Sequence, residues 1–116
     1  MRKTLFLFSL ACGLFSGSAS GSASPAAHPA EALYTTYCSS CHGVTGLGDG
    51  KTSQLFQPNL RPLHQAIAGQ KDDAILLVLE KGRGQMPGWE NVLKLDQRKQ
   101  LLDYMKTFEK KLGKTP

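Results

Sequence analysis

An all-α fold is predicted for this chain of 116 residues, and three observations predict it. Apolar residues recur at intervals of three and four in several short stretches. The stretches are separated by long runs rich in glycine and proline. No run alternates apolar and polar residues in the way a half-buried strand would. The expectation is four to five short helices with long loops, in one domain over residues 30–112. Loops that long in a domain this small are expected to be functional or to wrap around something.

The first segment stands outside that domain. Arg2 and Lys3 carry positive charge, the apolar run "TLFLFSLACGLF" follows, and "SGSASGSASPAAHPA" supplies small residues without core-forming content. This order reads as a secretory signal over residues 1–23, which places the mature protein in the periplasm. Gly21 and Ala23 allow cleavage after Ala23, and cleavage after Gly21 or nearby also fits. Two rivals exist. An uncleaved anchor needs about 20 apolar residues, more than this run holds. Lipidation at Cys12 is disfavoured by Ser9, which stands where such signals usually carry leucine. Residues 24–29 then form a short leader and 113–116 a tail.

Each helix has its own signals. The first is expected from Pro29, a good first-turn residue, through "PAEALYTTYCSSC", with Ala30, Leu33, Tyr34 and Tyr37 on one face. Gly43, Gly46, Gly48 and Gly50 end it. Their resemblance to a phosphate loop is weak, because the Lys-Ser/Thr ending and a preceding strand are both missing. "LFQPNLRPL" reads as extended loop, and a short helix is expected over 62–68, closed by Gly69. "DDAILLVLEKG" is the next, with Asp72 and Asp73 at its start and Gly82 at its end. "GRGQMPGWENVLKL" is loop. Asp96 is expected to cap the last helix, whose stripe is Leu101, Tyr104, Met105, Phe108 and Leu112.

Cys38, Cys41 and His42 form "CSSCH" and raise the chemical question. Cys12 leaves with the signal, so these are the only thiols the mature chain keeps. A disulfide between them would close a tiny loop and staple little. Zinc needs about four ligands, and no second cysteine pair follows. A thioredoxin-like pair wants a βαβ pattern, which is absent. A catalytic Cys-His pair fails because adjacent helical residues point apart. What remains is the C-x-x-C-H signature of covalent haem attachment. One helical turn brings both sulfurs to the same side, where they can form thioethers to two vinyl groups. His42 then offers its imidazole to the iron. A covalent haem c would also give a domain of this size the core it could not otherwise fill.

Charge says less. Arg2 and Lys3 leave with the signal, so 12 of the 14 basic residues face all 9 acidic ones, a net charge of +3. Lys106, Lys110, Lys111 and Lys114 cluster late in the chain. They read as a solvated helix end in favourable register with the helix dipole, ahead of a docking patch for an acidic partner. No aromatic-interleaved basic run points to nucleic acid.

Taken in order, "LYTTYCSSCHG", "QPNLRPL", "GRGQMPGW" and "LLDYMKTF" resemble the blocks of the small, soluble, single-haem cytochromes c. They are similar also to the cytochrome subunits of bacterial oxidases and dehydrogenases. The resemblance covers roughly residues 30–110. It implies an all-α, cytochrome c-like fold wrapped around one covalent haem. Met86 is implied as the sixth iron ligand, opposite His42. The Pro58 carbonyl is implied to hold the Nδ1 hydrogen of His42, and Leu60 to press on the haem face. Arg83 and Trp89 flank the methionine loop and are placed to reach the haem propionates; the alternatives are solvation for Arg83 and packing for Trp89. In the family the first and last helices cross at a glycine; here Ala30 stands in its place and is expected to widen the crossing slightly. Tyr34 and Tyr104 match the aromatic pair at that crossing.

Met105 could also ligate iron, but its place on the last helix's stripe makes it core. His64 could make a bis-histidine site, though its short polar segment reads as surface. His28 reads as solvated or as a helix cap. The function expected is a one-electron carrier between redox proteins, not an enzyme. The alternatives are a haem subunit of a larger dehydrogenase or oxidase complex, and a peroxidase or gas-binding cytochrome with an open iron position.

Overall fold

The computed structural model describes residues 27–112, so the expected signal over 1–23, Cys12, most of the leader and the tail 113–116 lie outside the described residues. Helices dominate, as predicted. In chain order they are α1 (Glu31–Tyr37), α2 (Ser39–His42), a 3₁₀ turn (Ser53–Leu55), α3 (Leu63–Ile67), α4 (Asp72–Lys81) and α5 (Leu95–Leu112).

The single helix expected from Pro29 through Cys41 is divided. Cys38 sits between α1 and α2 with φ −122° and ψ −36°. Three hydroxyls explain the bend. Thr35, Thr36 and Ser39 each donate to the carbonyl four residues back, at 2.9, 2.8 and 2.7 Å, and such back-bonding bends helices. The helical ladder still spans the joint, since His42 N–H donates to the Cys38 carbonyl at 2.9 Å. At the entry, half-buried His28 accepts the Ala30 N–H on its Nδ1 at 3.2 Å, one residue ahead of α1, which has no side-chain cap of its own.

Asp96 is not the cap of α5. The helix starts one residue earlier, at Leu95, and Asp96 lies in its first turn. The end is secured instead by Gln97, whose Oε1 accepts the Lys94 N–H at 2.9 Å. This is the reach-back half of a capping box. The loop before α5 also departs from expectation, because it contains strands. β1 (Gly82–Arg83) and β2 (Met86–Pro87) pair antiparallel, Gly82 opposite Pro87 and Arg83 opposite Met86. Gly84 takes φ +58° at the first position of the two-residue turn, a place glycine fills in such hairpins.

The core lies where α1 and α5 cross and where α3 and α4 pack on α5. Tyr34, Tyr104 and Phe108 meet edge-on, with ring centroids 5.1–5.4 Å apart, the arrangement that aromatic quadrupoles favour. Ala30 is fully enclosed at this crossing. The loop after α2 tucks beneath α5 at Gly46, where an added Cβ would lie 2.5 Å from the Phe108 ring. α4 contributes Ile75 and Leu79, one turn apart on the same face. Two of the late lysines have partners inside the fold. Lys106 pairs with Asp72 at 2.7 Å, and Lys111 lies over the rings of Tyr104 and Phe108. That leaves less of the basic cluster free to form a docking patch.

Candidate haem site

α1 and α2 deliver Cys38, Cys41 and His42 to one side of a cavity of about 520 Å³. The hairpin brings Arg83 and Met86 to the same cavity, the segment leaving it brings Trp89, and the segment after the 3₁₀ turn adds Pro58 and Leu60. All eight residues singled out from the sequence therefore line one space. A second cavity of about 290 Å³ adjoins it and shares His42, Leu60, Arg83 and Met86. Its remaining wall is largely apolar and comes from α3, α4 and α5, including Ile75, Leu79 and Met105. Met105 is buried on the stripe of α5, as expected of a core residue.

The two cysteines are free thiols in different surroundings. Cys38 is buried, and loss of solvent, followed by the nearby Cys41, pushes its pKa up to about 11. Cys41 is half-buried, with its sulfur 3.2 Å from Thr52 Oγ1. Thr52 spends its hydroxyl proton on the Ser40 carbonyl at 2.9 Å, so the contact is a Cys41 S–H donating to Thr52. No group of three or more His, Cys, Asp and Glu side chains that could hold a metal ion forms among the described residues.

Burial lowers the pKa of His42 below the ordinary imidazole value. The ring is thus neutral at physiological pH, the form that can donate a lone pair to a metal. Its Nδ1 is buried without a hydrogen-bond partner. The bond to the Pro58 carbonyl implied by the family resemblance is accordingly not formed. Pro58 is largely exposed on the cavity wall while Nδ1 is enclosed, and the two do not meet.

Residues that sequence reasoning did not assign to the site also appear. Tyr37 and Phe56 line the larger cavity, and the Tyr37 ring meets that of Trp89 at a tilt with centroids 5.2 Å apart, joining α1 to the segment that leaves the hairpin. Arg61 lines the smaller cavity and gives the site a second guanidinium beside Arg83. Tyr37 could have been found from its place directly before Cys38; Arg61 carried no signal. His64 lines neither cavity, so the fold does not bring it to His42.

These residues fit a covalent haem. Two free thiols, a neutral imidazole with an unpartnered buried nitrogen and a thioether converge on adjoining, mostly apolar cavities with two guanidinium groups in their walls. Among known families, residues 25–105 match the model described as cytochrome c oxidase, cbb3-type, subunit III. No curated protein matches the chain.

Proposed function

The chain belongs to the cbb3-type cytochrome c oxidase subunit III family of cytochrome c domains, and from that premise we propose a one-electron carrier with a single haem, bound through Cys38 and Cys41 and ligated by His42 and Met86. Electron transport and haem binding come with the family. The observation that supports the residue roles is the convergence of both thiols, the imidazole and the thioether on one space.

Cys38 and Cys41 are the residues that would hold the haem covalently, as thioethers; each S–H bond would be replaced by one C–S and one C–H bond at a vinyl group, so the attachment would need no oxidant. His42 would supply a neutral imidazole nitrogen to the iron and Met86 a soft thioether sulfur. The haem supplies iron that changes by one electron between ferric and ferrous states, and a sulfur ligand raises its potential. Leu60, Ile75 and Leu79 keep water from the site. Arg83 and Arg61 supply positive charge for acidic groups, and Trp89 closes the wall against Tyr37. With His42 and Met86 as the iron's ligands, the protein would exchange electrons with redox partners and do no chemistry on a bound substrate. Residues 1–23 direct it to the periplasm.

A second reading is a haem subunit within a larger oxidase or dehydrogenase, and the wording of the family match favours it. Among the described residues no helix is long and apolar enough to cross a membrane; in this reading membrane contact runs through the partner complex. Co-purification with a larger protein at stoichiometric yield separates the subunit from the free carrier.

One visible spectrum tests the core of the proposal. The reduced protein is expected to show an unchanged spectrum under carbon monoxide, and the oxidised protein a weak thioether-to-iron band at the red edge. Ready carbon monoxide binding at neutral pH overturns it and moves the gas-binding or peroxidase reading to the front.

A further inference from the structure

Arg98 is the one charged residue buried in the core among the described residues, and nothing in the proposed electron transfer uses it. Its Nη1 donates to the Leu93 carbonyl at 2.6 Å, and its Nη2 to Glu80 Oε2 at 3.0 Å. Those two acceptors belong to the two ends of the segment that carries Met86. Glu80 lies in the last turn of α4, directly before the hairpin. Leu93 closes the turn after it, its N–H donating to the Trp89 carbonyl at 2.8 Å. The segment leaving the hairpin is also pinned to α4: Trp89 N–H donates to the Leu79 carbonyl at 2.9 Å, and Glu90 N–H to that of Glu80 at 3.2 Å. Lys81 adds a bridge between the Glu80 and Glu90 carboxylates.

One guanidinium and one carboxylate thus hold together the end of α4, the exit of the hairpin and the start of α5. Neither touches the cavities. We infer that Arg98 and Glu80 are positioning residues for Met86: they latch the base of its hairpin, so that the thioether is not displaced by an outside donor. This rests on Met86 being the sixth ligand. The physical reason is the cost of an unpaired charge. If Glu80 loses its carboxylate, Arg98 stays charged in an enclosed site with no counter-charge. The nearest relief is for the hairpin base to part from α4 and admit water, and that movement carries Met86.

The test is imidazole binding to the oxidised full-length holoprotein, followed by loss of the red-edge thioether band. Glu80→Gln is expected to bind imidazole about tenfold more tightly than wild type, equivalent to about 1.4 kcal/mol. Arg98→Lys should move the same way; should it fail to fold, Glu80→Gln carries the test, since Glu80 is partly exposed. Phe108→Leu is the control, because it weakens the core away from the hairpin and should leave imidazole affinity unchanged. Glu80→Gln within about twofold of wild type overturns the latch. So does an equal gain in Phe108→Leu, since the effect would then be general destabilisation. If wild type lacks the band and binds imidazole as readily as Met86→Ala, the ligand assignment itself falls, and the latch with it.

Discussion

The Tyr34 hydroxyl donates to the Gly43 carbonyl, directly behind His42, at 2.7 Å in a dry setting. Burial, followed by the nearby Cys38, Tyr104 and Asp49, holds its pKa well above the ordinary phenol value. For a group whose pKa rises on folding, the stabilisation is complete below the unfolded value, about 10, and is lost as pH climbs through the folded value. Tyr34→Phe is therefore expected to cost about 1–3 kcal/mol at pH 7, through the carbonyl left unpaired. The gap to wild type should narrow above about pH 10, as urea titrations at pH 7 and pH 11 would show. The two methionines separate as cleanly. Met86→Ala should abolish the red-edge band, lower the potential and admit carbon monoxide, whereas Met105→Leu should keep the band and cost less than about 1.5 kcal/mol. The place of Met86 on the cavity wall agrees with what the resemblance of "GRGQMPGW" implies, and Met86 stands on no helical stripe, between Gln85 and Pro87. Arg98 was not legible. It falls three residues before Leu101 on the stripe of α5, and its counter-charge Glu80 lies 18 positions away, a pairing that one sequence does not reveal.

α4 was legible almost to the residue, because acidic residues, apolar periodicity and a closing glycine agree at every position. The hairpin was not, since two-residue strands are too short to show alternation, and only Gly84 hinted at a turn. The break at Cys38 was hidden for a related reason: the hydroxyls that bend the helix are ordinary helix-surface residues until their acceptors are known. Gly84 and Gly69 allow a controlled test of what the hairpin does. Both have positive φ, +58° and +70°, and an added Cβ would meet nothing within 4 Å at either. Alanine at each should cost about 1–2 kcal/mol from backbone strain alone. Gly84→Ala should also weaken the thioether band, while Gly69→Ala, in the loop between α3 and α4, should leave it intact. Denaturant melts and visible spectra of the two holoproteins decide this.

At the scale of the molecule, the expected helices wrapped around a central space were readable from the sequence, because C-x-x-C-H, the loop methionine and the long loops all demand one occupant. What fills the wall between them was not, since Tyr37, Phe56 and Arg61 join the site only through tertiary packing. Export and attachment together make one prediction: the mature holoprotein should have a mass corresponding to an N-terminus near Ser24 plus one haem that resists acid-acetone extraction. An intact Met1, or a diacylglycerol on Cys12, would instead identify an anchored form. The crossing of α1 and α5 also sets an order of events. Tyr34 and Tyr104 are 70 positions apart (104 − 34), and closing a loop of that length costs about 4 kcal/mol of chain entropy before any ring contact is gained. A nascent chain that ends at Gly82 has Cys38, Cys41 and His42 in place but nothing for α1 to pack against. The clasp can shut only after the last helix has been synthesised. Until then α1 has no partner for its Tyr34 face, and Cys38 at its end stays outside any closed core.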